Sequence, residues 1–299
     1  MSHGTPETVL VSGASSQLGV FLLPRLHDAG FRILALSRKA PMAPVEVSER
    51  VLWMQPGQEK GPINYLVSCG PLDLARLLVA THSSLQRVVA FSTSSVLTKV
   101  RSGNQRENLQ MEKILSDEKR LGRLCAERGI ALALLRPTLI YGCGLDRNIS
   151  LMARIGRRSG FIPFASRSSG LRQPVHADDL AELAVRCLLA GTPVELVAVA
   201  GGGSLLSYRE MMEATAAACG KGVRPLAINT AIMKAAAWVV SMLPGFNGVS
   251  VEMVRRQDRD MVFDDSTLRD TLSYDPRPFN PGPGDLEIPA FAKALQLSR

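Results

Sequence analysis

No two of the five cysteines (Cys69, Cys125, Cys143, Cys187, Cys219) form a CxxC pair, and the four histidines are as widely dispersed. A disulfide framework or a structural zinc site needs clustered ligands, so neither is supported and no metal is expected. The thiols read instead as buried groups in a reducing compartment, which makes the chain cytoplasmic. No block of five basic residues occurs, which argues against a nucleic-acid-binding arm. The first residues lack a basic segment leading into an apolar core, so no signal peptide is expected. The longest apolar stretch, AIMKAAAWVVSML at 231–243, contains Lys234 and is too short to span a bilayer. It reads as an amphipathic helix covering a core, or as one lying on a membrane or partner surface.

What is present suits a soluble globular protein with a sizeable core: 299 residues, 46% apolar and 21% charged. The net charge of +8 favours anionic partners such as phosphates and nucleotides without choosing among them. Short apolar runs alternate with helical patterns. TVLVSG, RILALSR, RVLWM, INYLVSC, RVVAFSTSS and ALALLRP read as strands, with helices at 16–29, 72–83 and 107–128. The strands are apolar throughout rather than alternating, as when helices cover both faces of a parallel sheet. The pattern predicts an α/β doubly wound parallel sheet. Gly, Ser, Arg and Pro then become frequent over 142–175. Helices are expected at 149–158, 178–190, 208–219 and 229–242, with a strand near 195–199. The expected division is a dinucleotide-binding core over 1–145, with 172–200 returning to it, and a smaller C-terminal α/β substrate lobe over 146–299.

The turn after the first strand, SGASSQLG, carries the first chemical signal. A dinucleotide pyrophosphate sits on backbone amides at the positive end of a helix. Gly13 permits the tight turn and Gly19 lets the helix pack on the strand. Ser16 stands where a third glycine is usual; it is small, and its hydroxyl can donate to a phosphate. Ser15, Ser16, Gln17 and Leu18 therefore join the glycines as expected cofactor contacts. The second strand ends Ser37–Arg38–Lys39 with no acid to accept from a ribose 2′-hydroxyl. A guanidinium there suits a 2′-phosphate, so NADP is expected over NAD, with NAD as the alternative. Ser68 and Ser92, at the ends of later strands, complete the cofactor cleft.

Three further stretches carry a resemblance. VVAFSTSSV, LLRPTLIYGCG (134–144) and RQPVHADDLAELAVRCLLAG (172–191) occur in this order, followed by GGGSLLSYREMMEAT (201–215). Together they resemble the extended short-chain dehydrogenases, the nucleotide-sugar epimerase and dehydratase family, over residues 7–220. The likeness is to a bacterial subgroup lacking the usual Tyr and Lys. It implies a Rossmann sheet, a nucleotide-sugar substrate and a homodimer formed through the helices at 72–83 and 107–128. Pro137 resembles the family's proline near the nicotinamide, and Ser94 its substrate-orienting serine. The family's proton-relaying tyrosine and its lysine map onto Gln110 and Ile114, which can do neither job. No tyrosine occurs between residues 99 and 140. Tyr141 is the nearest stand-in, with Thr98 as a further polar candidate. Lys99, Arg172 and His176 are the expected substrate contacts, with Arg136, Arg167 and the loop CGLDRN (143–148) close to the same cleft. Two functions remain open: an NADP-dependent epimerase-, dehydratase- or reductase-like oxidoreductase, and a catalytically degenerate NADP(H)-binding sensor or partner subunit.

Overall fold

The computed structural model describes residues 6–38, 45–48, 50–98, 104–146, 148–241 and 251–290. Along the first half come β1 (Thr8–Ser12), α1 (Gln17–Asp28), β2 (Arg32–Leu36), β3 (Val45–Ser48), β4 (Val51–Met54) and β5 (Tyr65–Ser68). They are followed by α2 (Leu72–Thr81), β6 (Arg87–Phe91), α3 (Ser95–Thr98), α4 (Gln105–Glu127) and β7 (Ala131–Pro137). The second half adds β8 (Ile140–Tyr141), α5 (Ile149–Ser159), β9 (Phe161–Ala165), β10 (Leu171–Arg172), β11 (Val175–His176), α6 (Ala177–Leu189) and β12 (Leu196–Ala200). It ends with β13 (Leu206–Ser207), α7 (Tyr208–Ala218), β14 (Arg224–Ile228), α8 (Thr230–Ser241), α9 (Val251–Arg256), α10 (Ser266–Leu272) and a 3₁₀ turn (Pro283–Leu286).

The main sheet runs β12-β7-β6-β5-β1-β2-β4-β3, with every neighbouring pair parallel except β3–β4. Alternate residues of each strand serve opposite faces. Val9, Val11, Ile33 and Ala35 pack under α1 and α6, against Leu22, Leu26, Leu180 and Ala184. Leu10, Leu34, Leu66 and Val88 pack under α2 and α4, against Leu78, Val79, Leu121 and Cys125. That two-sided burial explains the continuously apolar strands. The sheet's winding reverses between β1 and β5, so a crevice opens beyond their carboxyl ends.

The remaining segments form a smaller lobe. Parallel β9 and β14 pair there, and Ile162, Phe164, Met211 and Met212 share a core with Tyr141, Ile149 and Ala153. The chain crosses between the two parts more than once. α6 packs on α1 and β12 extends the sheet beside β7. Leu268, Leu272 and Tyr274, near the far end of the chain, join the core under α1 and α6.

Apart from β3, the strands of the main sheet agree with the sequence expectations, as do α1, α2 and α4 to α8, and the β4–β5 connection holds no helix. The edge strand β3 and the two-residue strands β8, β10, β11 and β13 were not expected. Two residues carry no periodicity to read, and their hydrogen bonds depend on remote partners. β9, β14, α3, α9 and α10 also went unread.

One side chain ties α6 to the sheet. Arg87, at the start of β6, donates through Nη1 to Leu188 O and Ala190 O, each at 2.6 Å. These carbonyls lie at the C-terminus of α6, where no intrahelical donor remains for them. Arg87→Met keeps the stem and removes the donors. It should lower the unfolding free energy by about 2 kcal/mol, measured by urea denaturation.

Candidate functional site

β1 ends in a turn that only glycine fits. Gly13 has φ +69°, and a Cβ there would lie 2.9 Å from the backbone C and O of Cys69, just after β5. At Gly19 a Cβ would meet Ala14 O at 2.1 Å, which is what lets α1 start so close beneath the turn. Ser16 caps α1, its Oγ accepting from Gly19 N at 3.2 Å. Gly19 N and Val20 N are thus satisfied by Ser16, while the amides of Gln17 and Leu18 carry no hydrogen bond among the described residues. The first turn of α1 holds no acidic side chain, and Arg25 and His27 occupy its last turn. Two free donors at an unneutralised positive helix end are what an anion requires. The Gln17 side chain reaches across the crevice instead, Nε2 donating to Gly142 O at 2.9 Å.

The other expected cofactor residues ring this turn. Ser15 Oγ and Ser37 Oγ lie 3.0 Å apart, joining the ends of β1 and β2. Ser12 Oγ donates to Ser68 Oγ at 3.0 Å, joining β1 and β5 inside the core. Arg38 follows Ser37 and is exposed. Lys39 and Lys99 lie outside the described residues.

At the ends of β6 and β7 an ion pair between buried Glu118 and half-buried Arg136 organises the next positions. Arg136 Nε donates to Glu118 Oε1 at 3.0 Å, and its Nη2 to Glu118 Oε2. Ser92 Oγ donates to the same Oε1 at 2.5 Å. This pair couples α4 to β6 and β7, and a bidentate guanidinium fixes the geometry as well as the charge. Ser94 N donates to Pro137 O at 3.0 Å, which sets Ser94 over the end of β7. The Ser94 residue is buried, yet its hydroxyl makes no hydrogen bond among the described residues. It remains available to a substrate oxygen. On α4, Gln110 is exposed, and Ile114 packs into the core beneath the sheet. Lys113 points to the surface, its Nζ 2.7 Å from Asp117 Oδ2 and 3.5 Å from Asp73 Oδ2. Leu77 on α2 and Leu109 on α4, the helix pair expected to carry a homodimer, stand exposed.

The far wall is aromatic. Tyr141 packs edge-on against His176, at 5.0 Å between ring centroids, and against Phe279 at 4.9 Å. Burial, reinforced by Asp285 and Asp179, raises the Tyr141 phenol above its ordinary range, so it keeps its proton at neutral pH. His176 itself caps α6: its Nδ1 accepts from Asp178 N at 3.1 Å. With Nδ1 accepting, Nε2 carries the ring proton and donates to Asp285 Oδ1 at 3.2 Å. Gly142, with φ +104°, leaves room for this ring, since a Cβ there would meet His176 Nε2 at 2.6 Å. Asp178 and Asp179 are taken up by salt bridges. Asp178 holds Arg25 at 2.6 Å and Arg277 at 2.7 Å, and Asp179 holds Arg277 at 2.7 Å. Burial opposes the Asp178 charge, but the two arginines outweigh it and its pKa falls.

Arg172 is buried with its guanidinium on backbone. Nη1 donates to Leu171 O at 2.8 Å and Arg259 O at 2.7 Å, Nη2 donates to Arg256 O at 2.6 Å, and Tyr208 lies under the group. In this arrangement it fastens α9 to β10. Burial pushes the thiols of Cys69 and Cys143 up to about 12, so neither is a thiolate nucleophile at neutral pH.

Two features of the site carried no sequence signal. Asp285 reaches His176 from 109 positions along the chain. Cys143 takes φ +58°, a conformation that non-glycine residues rarely adopt and that sequence does not announce.

No family model matches the chain. Among curated proteins it is 25% identical to UDP-glucose 4-epimerase of Vibrio cholerae over 159 residues, 53% of this chain and 46% of that protein. The match thus spans about half the length of that epimerase. Among solved structures, UDP-glucuronic acid 4-epimerase of Bacillus cereus, in complex with UDP-glucuronic acid and NAD, superposes with a TM-score of 0.68 at 15% identity. That likeness covers 96% of this chain and 99% of the other. The dTDP-glucose 4,6-dehydratase of Bacillus anthracis, in complex with NAD, gives 0.64 at 12% identity, covering 94% of this chain and 95% of that one. The fold is therefore the Rossmann-like α/β fold of nucleotide-sugar epimerases and dehydratases.

The His176–Asp285 contact has a pH signature. The hydrogen bond from His176 is the main cause holding the Asp285 carboxyl below its ordinary value. A carboxyl lowered in the folded state stabilises above about pH 4, and its contribution is lost as pH falls through the folded value. Asp285→Asn should cost about 1 kcal/mol at pH 7. It should also flatten the fall in stability on the acid side of pH 4, read from denaturant midpoints across that range.

Proposed function

We propose that this protein binds a nicotinamide dinucleotide over the β1–α1 turn, NADP in preference to NAD, and a nucleotide sugar between the sheet and the C-terminal lobe. It acts as an oxidoreductase of the epimerase or dehydratase kind. The observation that carries this reading is the pair of unspent amides, Gln17 and Leu18, at the positive end of α1, beside the turn that only Gly13 permits. The relatives described above hold NAD and UDP-glucuronic acid in the same fold, which supports both ligand classes.

The residues present fit the dinucleotide. The amides of Gln17 and Leu18, with the hydroxyls of Ser15 and Ser16, would hold the pyrophosphate. Arg38, followed in sequence by Lys39, would pair with a 2′-phosphate, and no carboxylate in the sequence at the end of β2 opposes that charge. Ser37, Ser92 and Pro137 shape the crevice wall rather than contribute charge, and Ser68 supports it from the core. Bound there, the cofactor supplies hydride exchange with a sugar carbon. Ser94 orients the sugar oxygen with its free hydroxyl. Tyr141, kept protonated by burial, is a donor in reserve. Lys99 and His176 are the proposed contacts on the sugar-nucleotide side, and Arg172 joins them only by exchanging its carbonyl partners for phosphate oxygens.

A second reading is favoured by Gln110 and Ile114 on α4. With an amide and an alkyl group at the positions expected to relay a proton, the protein would bind NADP(H) without turnover, as a sensor or partner subunit.

Calorimetric titration with NADPH and NADH, followed by a screen of UDP- and dTDP-sugars, separates these readings. Arg38→Asp should weaken NADPH binding tenfold or more, on the order of one lost charge-assisted contact, and spare NADH. Equal affinities before and after the change would remove the 2′-phosphate assignment. Ser94→Ala should reduce sugar turnover by about a hundredfold while cofactor affinity holds. Tight NADPH binding with no sugar consumed, and no effect of Ser94→Ala, selects the binding protein.

A further inference from the structure

Lys234 is the sole charged residue between positions 231 and 250. α8 lies in this stretch and buries little of it. Met233 and Ala237, one turn apart, pack against Ala165 and Val254. The opposite side faces outward, with Ile232 64%, Trp238 55% and Val239 53% exposed, and Ala235 and Ala236 exposed with them. A surface helix ordinarily turns polar residues to water. α8 turns an apolar face outward, and a contiguous patch of this kind marks a binding surface.

A basic cavity of about 580 Å³ opens along one flank of that face. At about 100° per residue, Thr230 and Lys234 lie on the helix between the packed stripe and the exposed apolar side. Both line the cavity with Arg167, Arg255 and Arg259. The acids facing these cations are Asp258 and Glu252. Asp258 accepts from Ser169 Oγ at 2.8 Å, and buried Glu252 lies 3.5 Å from Arg255 and 3.6 Å from Arg259. The cations outnumber them, and Arg167, Arg255 and Arg259 are exposed.

We propose that α8 docks on an anionic lipid bilayer, lying in the interface plane with Ile232, Trp238 and Val239 among the acyl chains and Arg167, Arg255 and Arg259 against the headgroup phosphates. An apolar helix face carrying a tryptophan and flanked by arginines matches that surface in both polarity and charge. No described helix is long and apolar enough to cross a membrane, so the helix lies on the bilayer. A second copy of the chain fits less well, because an isologous contact would set each arginine rim against its own like. The net charge of +8 adds long-range attraction to the leaflet.

Co-sedimentation of the full chain with vesicles of pure phosphatidylcholine, and of phosphatidylcholine with 30 mol% phosphatidylglycerol (about 30%, enough to charge the leaflet), tests this. Binding should appear with the charged vesicles and weaken steeply on adding salt. Of the two tryptophans, Trp53 is buried, so a blue shift of emission on binding reports Trp238. Ile232→Asp with Val239→Asp, on exposed positions, should abolish sedimentation and the shift with the far-ultraviolet spectrum unchanged. Arg255→Ala with Arg259→Ala should weaken partitioning about 25-fold, roughly fivefold for each charge. Equal sedimentation of the double Asp variant, or no binding to charged vesicles, would overturn the proposal. So would a dimer in sedimentation velocity that the double Asp variant dissolves, since that assigns the face to a second copy.

Discussion

The constraint that shapes the crevice is the meeting of two strand ends at the centre of the sheet. The backbone leaving β1 passes the backbone leaving β5 with no room for a side chain between them, and Gly13 answers that constraint. Because the winding of the sheet reverses at this pair, the same contact creates the crevice beyond them. α1 can then start directly beneath the turn, and its first amides face the opening. The crevice and the orientation of the free donors follow from holding β1 and β5 this close.

The chemistry of the crevice is uneven. At the β1 end the groups are backbone dipoles, whose strength does not depend on ionisation. At the β6 and β7 ends the charged groups are already committed to one another. Glu118 and Arg136 pair in the interior with Ser92 attached, an arrangement whose main effect is to fix α4 against two strands. Breaking one partner of such a pair would strand the other charge, so it resists drift better than it adds stability. Beside it, the Ser94 hydroxyl carries no hydrogen bond among the described residues.

The two parts of the molecule are held by charge as much as by apolar packing. Asp178 and Asp179, at the start of α6, take Arg25 from α1 and Arg277 from the C-terminal segment. His176, immediately before them, takes Asp285. A single short stretch thus fastens the sheet, its covering helix and the end of the chain. Acidic side chains in the first turn also suit the positive end of α6. The histidine and aspartates of the VHADD segment are accordingly explained by assembly, with the aromatic wall of Tyr141, His176 and Phe279 as its consequence inside the crevice.

Much of this was legible beforehand. The apolar runs of β1, β2, β5, β6 and β7 and the periodicity of α1, α2, α4 and α6 gave the doubly wound sheet, because burial on both faces is written into composition. The turn at Gly13 and Gly19 was also legible, because only certain residues tolerate that backbone. The partners of Arg172, the cap made by His176 and the reach of Asp285 were not, and neither were β3, the two-residue strands or the outward face of α8. Sequence by itself determined the local elements and the turn chemistry, since these depend on neighbours a few residues apart. Only the tertiary structure decided which polar groups are spent and which remain free, since a hydrogen bond between residues 109 positions apart exists only once the chain has brought them within 3.2 Å.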